Sequence, residues 1–406
     1  RDIIGVTRLR PRGARAAGGV PQAACRPARG RRRQVGPADV RQHLGLRRVT
    51  KPVGCGIIRP MAERPLPRNR VRQLVRLLGR RGVDYADVRY EHLLHEHLVA
   101  EQGRVGSISL SESAGVGIRV RLKNAWGFAA TPHLTPASLR RAASQAIELA
   151  KAAARLNTQP RPLAPVEPVR ASYASRVAVD PFTVPLSKKL DYLLWANTTL
   201  LGPAVIRQAN THMDFHKRRK LFCSTEGAMI EQELIESGAG LDVVARRGGE
   251  TQVRSYPNSH GGALAQAGFE YVKRIDLVGG ATTAREEVLQ LLGAKSPRAG
   301  ETTIVLHPTQ VVMQLHESCG HPVELDRALG QELSYAGGSF LTPERLGELR
   351  YGSPAVHIVA DATVPGGVGS FGFDDEGVPA QRVDLVREGR FVGYLSSRES
   401  AARIGV

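Results

Sequence analysis

His316, Glu317 and His321 are the residues whose types and spacing could do chemistry. They lie in the run Leu315-His316-Glu317-Ser318-Cys319-Gly320-His321-Pro322-Val323-Glu324-Leu325-Asp326. Two imidazoles flanking a carboxylate form the donor set of a zinc hydrolase, in which the histidines hold the ion and the glutamate activates water. The usual spacing is i, i+4, which leaves both rings on one helical face. Here it is i, i+5, and at about 100° per residue the second ring falls about 140° around from the first. A regular α-helix therefore cannot aim both at one ion. The local sequence offers a remedy. Gly320 tolerates unusual backbone angles, while Pro322 disfavours a helical His321 and clashes with the Ser318 carbonyl. A π-type turn or an unwound helix end would bring His321 round. On spacing alone, metal binding and ordinary polar residues at a helix end are equal readings.

The elements that must position this run begin after Met61, the first methionine. Val71, Leu74, Val75 and Leu78 follow helical spacing and predict an amphipathic helix over 68–80. Strands are expected from Tyr85 to Val99 and from Arg104 to Leu110. The alternation of Val116, Ile118, Val120 and Leu122 predicts a further strand, which Lys123-Asn124 turns into Trp126–Ala130. Thr135 and Pro136 open an Ala-rich helix to about Leu156. A Pro-rich stretch, about 157–185, reads as a linker. Leu186, Leu190, Leu193 and Leu194 mark another helix, and alternation returns from Val205 to Arg246 with a turn at Thr225-Glu226-Gly227. A helix from about Ala281 ends at Gly293. Thr302–Leu306 reads as a short buried strand, and Pro308 opens the next helix. Strands joined by short turns and covered by helices indicate an α+β fold of antiparallel sheets, with the metal motif at an irregular helix end.

Composition bounds the rest. Apolar residues make up 42% of 406, enough for packed domains, and no apolar run approaches the roughly 18 residues of a membrane helix. The net charge of +19 is concentrated: residues 1–60 hold 15 Lys and Arg against Asp2 and Asp39. That segment reads as a basic low-complexity leader, a tail or an extension foreign to the mature protein; an arm contacting nucleic acid is the sharper alternative. The paired arginines precede no apolar segment, so a twin-arginine signal is not supported. Cys25 and Cys55 lie in the leader, and Cys223 and Cys319 alone form no disulfide framework, which points to a cytoplasmic protein.

Several separated motifs resemble the TldD/PmbA family, first described as modulators of DNA gyrase and read as zinc metalloproteases. They are the His316–His321 run with Glu324-Leu325-Asp326, then Gly369-Ser370-Phe371-Gly372-Phe373-Asp374-Asp375-Glu376-Gly377. Earlier come Asp84–Tyr90, Gly115–Val120 and Ala125–Phe128. The resemblance spans about 61–406. It implies an N-terminal domain over 61–300 that shapes access and a metalloprotease domain over 301–406. It also implies Zn²⁺ on His316 and His321, with Glu317 as general base, as in the catalytic rather than the motif-less subunit. Glu324 and Asp326 would orient a ligand ring, and Gly369 and Gly372 would sit on a loop facing peptide. The expected substrates are small, unfolded or extended peptides. The expected state is a dimer, with a motif-less homologue or with itself, and neither membrane nor nucleic acid is an expected partner. The family completes its zinc site with a cysteine near its C-terminus, and residues 391–399 match a region that members continue beyond. The chain is therefore expected to be truncated, with its third ligand beyond Val406. Cys319 could offer a thiolate, though a small buried residue is the plainer reading. The rival function is a non-catalytic subunit or adaptor.

Other signals carry less. Gly367–Gly372 matches G-x-G-x-x-G, but Phe373-Asp374-Asp375-Glu376-Gly377-Val378-Pro379 is a poor helix opening, so no nucleotide cofactor is expected. His95 and His97 would share a strand face that could bind metal, or form a solvated edge with His92. His212 and His216, beside Lys217-Arg218-Arg219-Lys220, read as an exposed basic strand end. No G-x-S-x-G signature is present.

Overall fold

The structure, a computed structural model, describes residues 67–156 and 162–405. The basic leader and the first residues of the Pro-rich stretch lie outside that range. Helix α1 (Arg68–Gly79) buries Val71, Leu74, Val75 and Leu78, the four residues its spacing singled out. Strands β1 (Tyr85–Glu101), β2 (Arg104–Leu122) and β3 (Ala125–Thr131) then form an antiparallel meander. Its two-residue turns have positive φ at both positions, 50° and 77° at Gln102-Gly103 and 46° and 64° at Lys123-Asn124. That geometry matches the right-handed strand twist and closes tight hairpins. Strand β2 is longer than expected: it runs unbroken through Ser111–Gly115, because pairing with β1 supplies main-chain bonds where the sequence has no apolar alternation.

Helix α2 (Pro136–Ala154) starts at Thr135, whose side chain accepts from the Ser138 amide. Its small residues Ala142, Ala143, Ala146 and Ala150 face the sheet, and it lies on β3 so closely that a Cβ at Gly127 would stand 2.0 Å from the Ala146 carbonyl oxygen. The Pro-rich stretch contains a short edge strand, β4 (Arg170–Ala174), parallel to β6. Helix α3 (Leu186–Leu200) leads into the long strands β5 (Ile206–Ser224) and β6 (Met229–Arg247), joined by the turn around Thr225–Gly227. Strands β7 (Glu250–Tyr256) and β8 (Ala263–Ala265) both pair with β6 and complete an eight-stranded sheet, whose main order is β3-β2-β1-β5-β6-β4. Helices α4 (Phe269–Ile275) and α5 (Leu277–Leu291) follow. Helix α5 starts four residues before the expected Ala281 because Asp276, with φ of 52°, caps it by accepting from Gly279.

One face of this sheet holds two apolar layers. Ala86, Val88, Tyr90, Ile118 and Cys223 pack under α1 and α2. Leu98, Met213, Phe215, Leu241 and Val243 pack under α3, α4 and α5. Successive residues alternate faces, so the interleaved positions of β1 and β5, including His95, His97, Asp214 and His216, point the other way. At one end of that second face, Phe373 packs with Phe222, Ala228 and Ile230. Gln232 accepts from the Gly372 and Phe373 amides, and Asp375 is paired with Lys220.

Thr302–Leu306 forms no strand, contrary to expectation. Among the described residues no strand pairs with it, and Ile304 and Val305 remain exposed. Helix α6 (Pro308–Leu315) opens at Pro308 as expected and leads into the motif. After it come the short helix α7 (Leu325–Ala328), a three-stranded antiparallel sheet of β9 (Ile358–Asp361), β10 (Arg382–Arg387) and β11 (Arg390–Phe391), and helix α8 (Arg398–Ile404). Their core joins Cys319, Val323, Leu325, Leu341, Leu385, Val386, Phe391 and Tyr394. The α+β class, antiparallel sheets with covering helices, is as expected; β4 is the parallel exception. Among the described residues no helix is long and apolar enough to cross a membrane.

Candidate metal centre

The i, i+5 spacing is answered by the backbone. Residues His316–Gly320 form a π-helical turn at the end of α6. Its signature bond runs from the His321 amide to the His316 carbonyl, 3.0 Å across five residues. A bond of that span sets His321 above His316, so the two rings meet edge to face with centroids 4.3 Å apart. His316, Glu317 and His321 bring one donor atom each within 4.8 Å of one another.

The wider turn has identifiable causes. Pro322 has no N–H to give the Ser318 carbonyl, and its ring would crowd that oxygen in a regular helix. The Ser318 oxygen instead accepts a 2.9 Å bond from the Tyr351 hydroxyl, whose burial pushes its pKa up to about 12. Inward, Cys319, Val323 and Leu325 anchor the run in the small core. Outward, the motif side chains face solvent: His316, Glu317 and His321 are 54%, 64% and 36% exposed. The freedom of Gly320 is not used. It has no positive φ, and an added Cβ would meet nothing nearer than 3.7 Å.

Glu324 sits where an orienting carboxylate would. Its Oε1 is 2.8 Å from His321 Nδ1, and Arg327 donates to Oε2 at 2.9 Å and to the Ala336 carbonyl at 2.6 Å. Burial alone would raise the Glu324 carboxyl, but the bonds from His321 and Arg327 prevail and hold it below its ordinary value. Occupying Nδ1 leaves His321 Nε2 as the outward donor, the arrangement by which a carboxylate fixes a ligating ring. Asp326 is placed differently: its carboxylate accepts from the Arg327 amide. Cys319 is free, 1% exposed and outside the donor group, with a thiol that burial pushes up, so it is the small core residue of the plainer reading.

Gly369 and Gly372 are not gathered with these donors. Gly372 lies against Tyr173, where a Cβ would come within 2.6 Å, while Gly369 faces open space. Gly369 lines two cavities, of about 540 and 620 Å³, that include none of His316, Glu317 or His321. No helix follows Gly367–Gly372; Asp374 folds the next residues into a turn by accepting from Glu376 and Val378.

The sequence reading of the remaining histidines is corrected. His95 and His97 lie on β1, and His212 and His216 on β5, which are interior strands of the eight-stranded sheet rather than edges or strand ends. Tyr351 gave no sequence signal, standing 33 residues from the carbonyl it holds.

The donor set suits a zinc-type ion: two imidazoles on one side of a turn, one with its other nitrogen already occupied, beside an exposed carboxylate. Residues 299–406 match the PmbA/TldA metallopeptidase C-terminal domain, and residues 86–150 match PmbA/TldA metallopeptidase domain 1. The chain is 27% identical to a metalloprotease of Methanocaldococcus jannaschii over 79% of its own length and 68% of the relative's. It is 24% identical to a zinc metalloprotease TldD homolog of Saccharolobus solfataricus over 80% and 67%. Its fold is similar to that of a proposed modulator of a DNA gyrase from Thermotoga maritima, with a TM-score of 0.66 at 19% identity, covering 84% and 73% of the two chains.

Proposed function

We propose that this chain, which belongs to the TldD/PmbA family, is a zinc-dependent endopeptidase whose ion is held by His316 and His321 and whose general base is Glu317. The observation that carries the reading is the π turn, which sets the two imidazoles 4.3 Å apart at the spacing that a regular helix would splay. Zinc bound there would supply Lewis acidity toward the scissile carbonyl and the attacking water. The chain's own residues do the rest. Glu317 takes the proton of the attacking water and returns it to the departing amine. Glu324, fixed by Arg327, keeps His321 in one tautomer and orientation. Exposure of all three donors gives an extended peptide access without unfolding the chain.

The same reading assigns 301–406 to holding the metal and 61–300 to shaping access, with Gly369 at the rim of a peptide-facing loop. It assigns small, unfolded or extended peptides as substrates, a cytoplasmic location, and a dimer formed with a motif-less homologue or with itself. Helix α6, which buries none of its residues, supports a further chain near the motif.

Metal analysis and peptide cleavage test it together. The full-length protein should carry zinc that His316→Ala removes. Glu317→Gln should keep the zinc and lose cleavage by about 10² or more. Unchanged cleavage by Glu317→Gln would take that residue out of the mechanism. Protein that takes up no zinc at the motif would favour the non-catalytic subunit.

A further inference from the structure

The second face of the large sheet carries a histidine cluster that the proposed peptidase does not use. His95 on β1 stands directly across from His216 on β5, and His97 directly across from Asp214. The His95 and His216 rings stack with centroids 4.2 Å apart and planes 9° from parallel. His95 Nε2 lies 3.2 Å and His97 Nδ1 2.8 Å from the same Asp214 oxygen, Oδ1. His212 continues the row, its ring centroid 6.3 Å from that of His97. His95, Asp214 and His216 bring one donor atom each within 4.8 Å of one another, as the zinc-motif residues do.

We propose that His95, Asp214 and His216 form a second metal site, for a divalent first-row ion of the kind that imidazole and carboxylate bind. Two histidines and one carboxylate on one face are a ligand set for Zn²⁺, Ni²⁺, Cu²⁺ or Fe²⁺, and three protein donors leave positions open for water or an exogenous ligand. Donors about 2.0–2.2 Å from an ion stand at most about 4.4 Å apart, so side-chain rotation closes the set. The scaffold is rigid, because β1 and β5 are each paired on both sides along this stretch. His97 is the outer partner: its bond to Asp214 orients the carboxylate as second-layer groups orient metal ligands.

The surroundings suit a cation. Glu236 on β6 is the cross-strand neighbour of His216 and lines a cavity of about 540 Å³ on this face. Ser111 and Ser109 on β2 stand opposite His95 and His97. The nearest fixed positive charge along β5 on this face, Arg218, is answered by Glu91 at 3.0 Å. His95, His97 and Asp214 are each about one-third exposed, so an ion can enter.

The site is independent of the motif, and the experiment separates them. Full-length protein carrying His316→Ala and His321→Ala is titrated with Co²⁺, read by bound metal after dialysis and by visible absorption. About one Co²⁺ per chain should remain. Adding His95→Ala, His216→Ala or Asp214→Asn should weaken that binding at least tenfold, whereas His97→Gln should change it by less. No Co²⁺ bound by the motif-deleted protein, or binding that survives loss of His95 and His216, overturns the proposal. Because a strand variant could misfold, Cu²⁺ on the motif-deleted protein gives a second readout. Electron paramagnetic resonance should show at least two imidazole nitrogens on one ion, and their absence also overturns it.

Discussion

Tyr351 shows how one hydrogen bond can govern the placement of three neighbouring side chains. The Pro322 ring rules out the regular helical partner of the Ser318 carbonyl, and the Tyr351 hydroxyl replaces it at 2.9 Å. Tyr351→Phe leaves that carbonyl without its partner, which should cost about 1–2 kcal/mol. The loss should fall on the π turn in particular. Urea unfolding of wild type and variant measures the first effect. Zinc affinity measures the second, and it should drop while Gly320→Ala, which meets no atom closer than 3.7 Å, leaves it nearly unchanged. Equal affinities in Tyr351→Phe and wild type would mean that the turn holds without this bond. Cys223 and Cys319, the two cysteines among the described residues, illustrate the opposite case. Both are buried and free, and burial pushes the Cys223 thiol up to about 11, so neither is poised to be a ligand or nucleophile.

At the scale of elements, α2 approaches β3 closely. Gly127 lets the helix backbone lie where a methyl group would stand 2.0 Å from the Ala146 carbonyl and 2.4 Å from the Ala150 amide. The obstruction is backbone, not a flexible side chain, so Gly127→Ala cannot be absorbed by a rotamer change. It should destabilise by about 2–3 kcal/mol or more, at the upper end for overpacking. A thermal midpoint equal to wild type would show that α2 can ride up without cost. Elements whose cues are local were legible beforehand: α1 from its apolar spacing, α2 from Thr135-Pro136, the hairpin from Lys123-Asn124. Those missed lacked a local cue. The middle of β2 and the edge strand β4 owe their strand form to neighbours that supply main-chain partners. Thr302–Leu306 had the composition of a strand but found no neighbour to pair with.

Across the whole molecule, Arg398 ties the metal-motif segment to the large sheet. It is 5% exposed and forms a two-point bond to Glu226 at 2.8 and 2.9 Å, beyond the β5 end. Its Nε donates to the Ala164 carbonyl at 2.8 Å, its amide donates to Glu376, and Glu376 in turn pairs with Arg119 on β2. Arg398→Ala removes the hub. With Glu226 partly in water the loss should be about 2–3 kcal/mol, below the full cost of stranding a buried charge. Proteolysis between α5 and α6 should quicken as the two parts uncouple; unaltered cleavage there would assign the coupling to Phe373 and Gln232 instead. The sequence by itself determined the α+β class, the resemblance to a family, and the donor types at 316, 317 and 321, because side-chain chemistry, short-range periodicity and capping are local properties. Whether His316 and His321 could face each other was decided by a tyrosine and a small core distant in sequence. Whether the strand histidines stood at an edge or met across a sheet was decided by the pairing of β1 with β5. Partners more than a hundred residues apart leave no periodic trace in the chain; only folding brings them opposite one another.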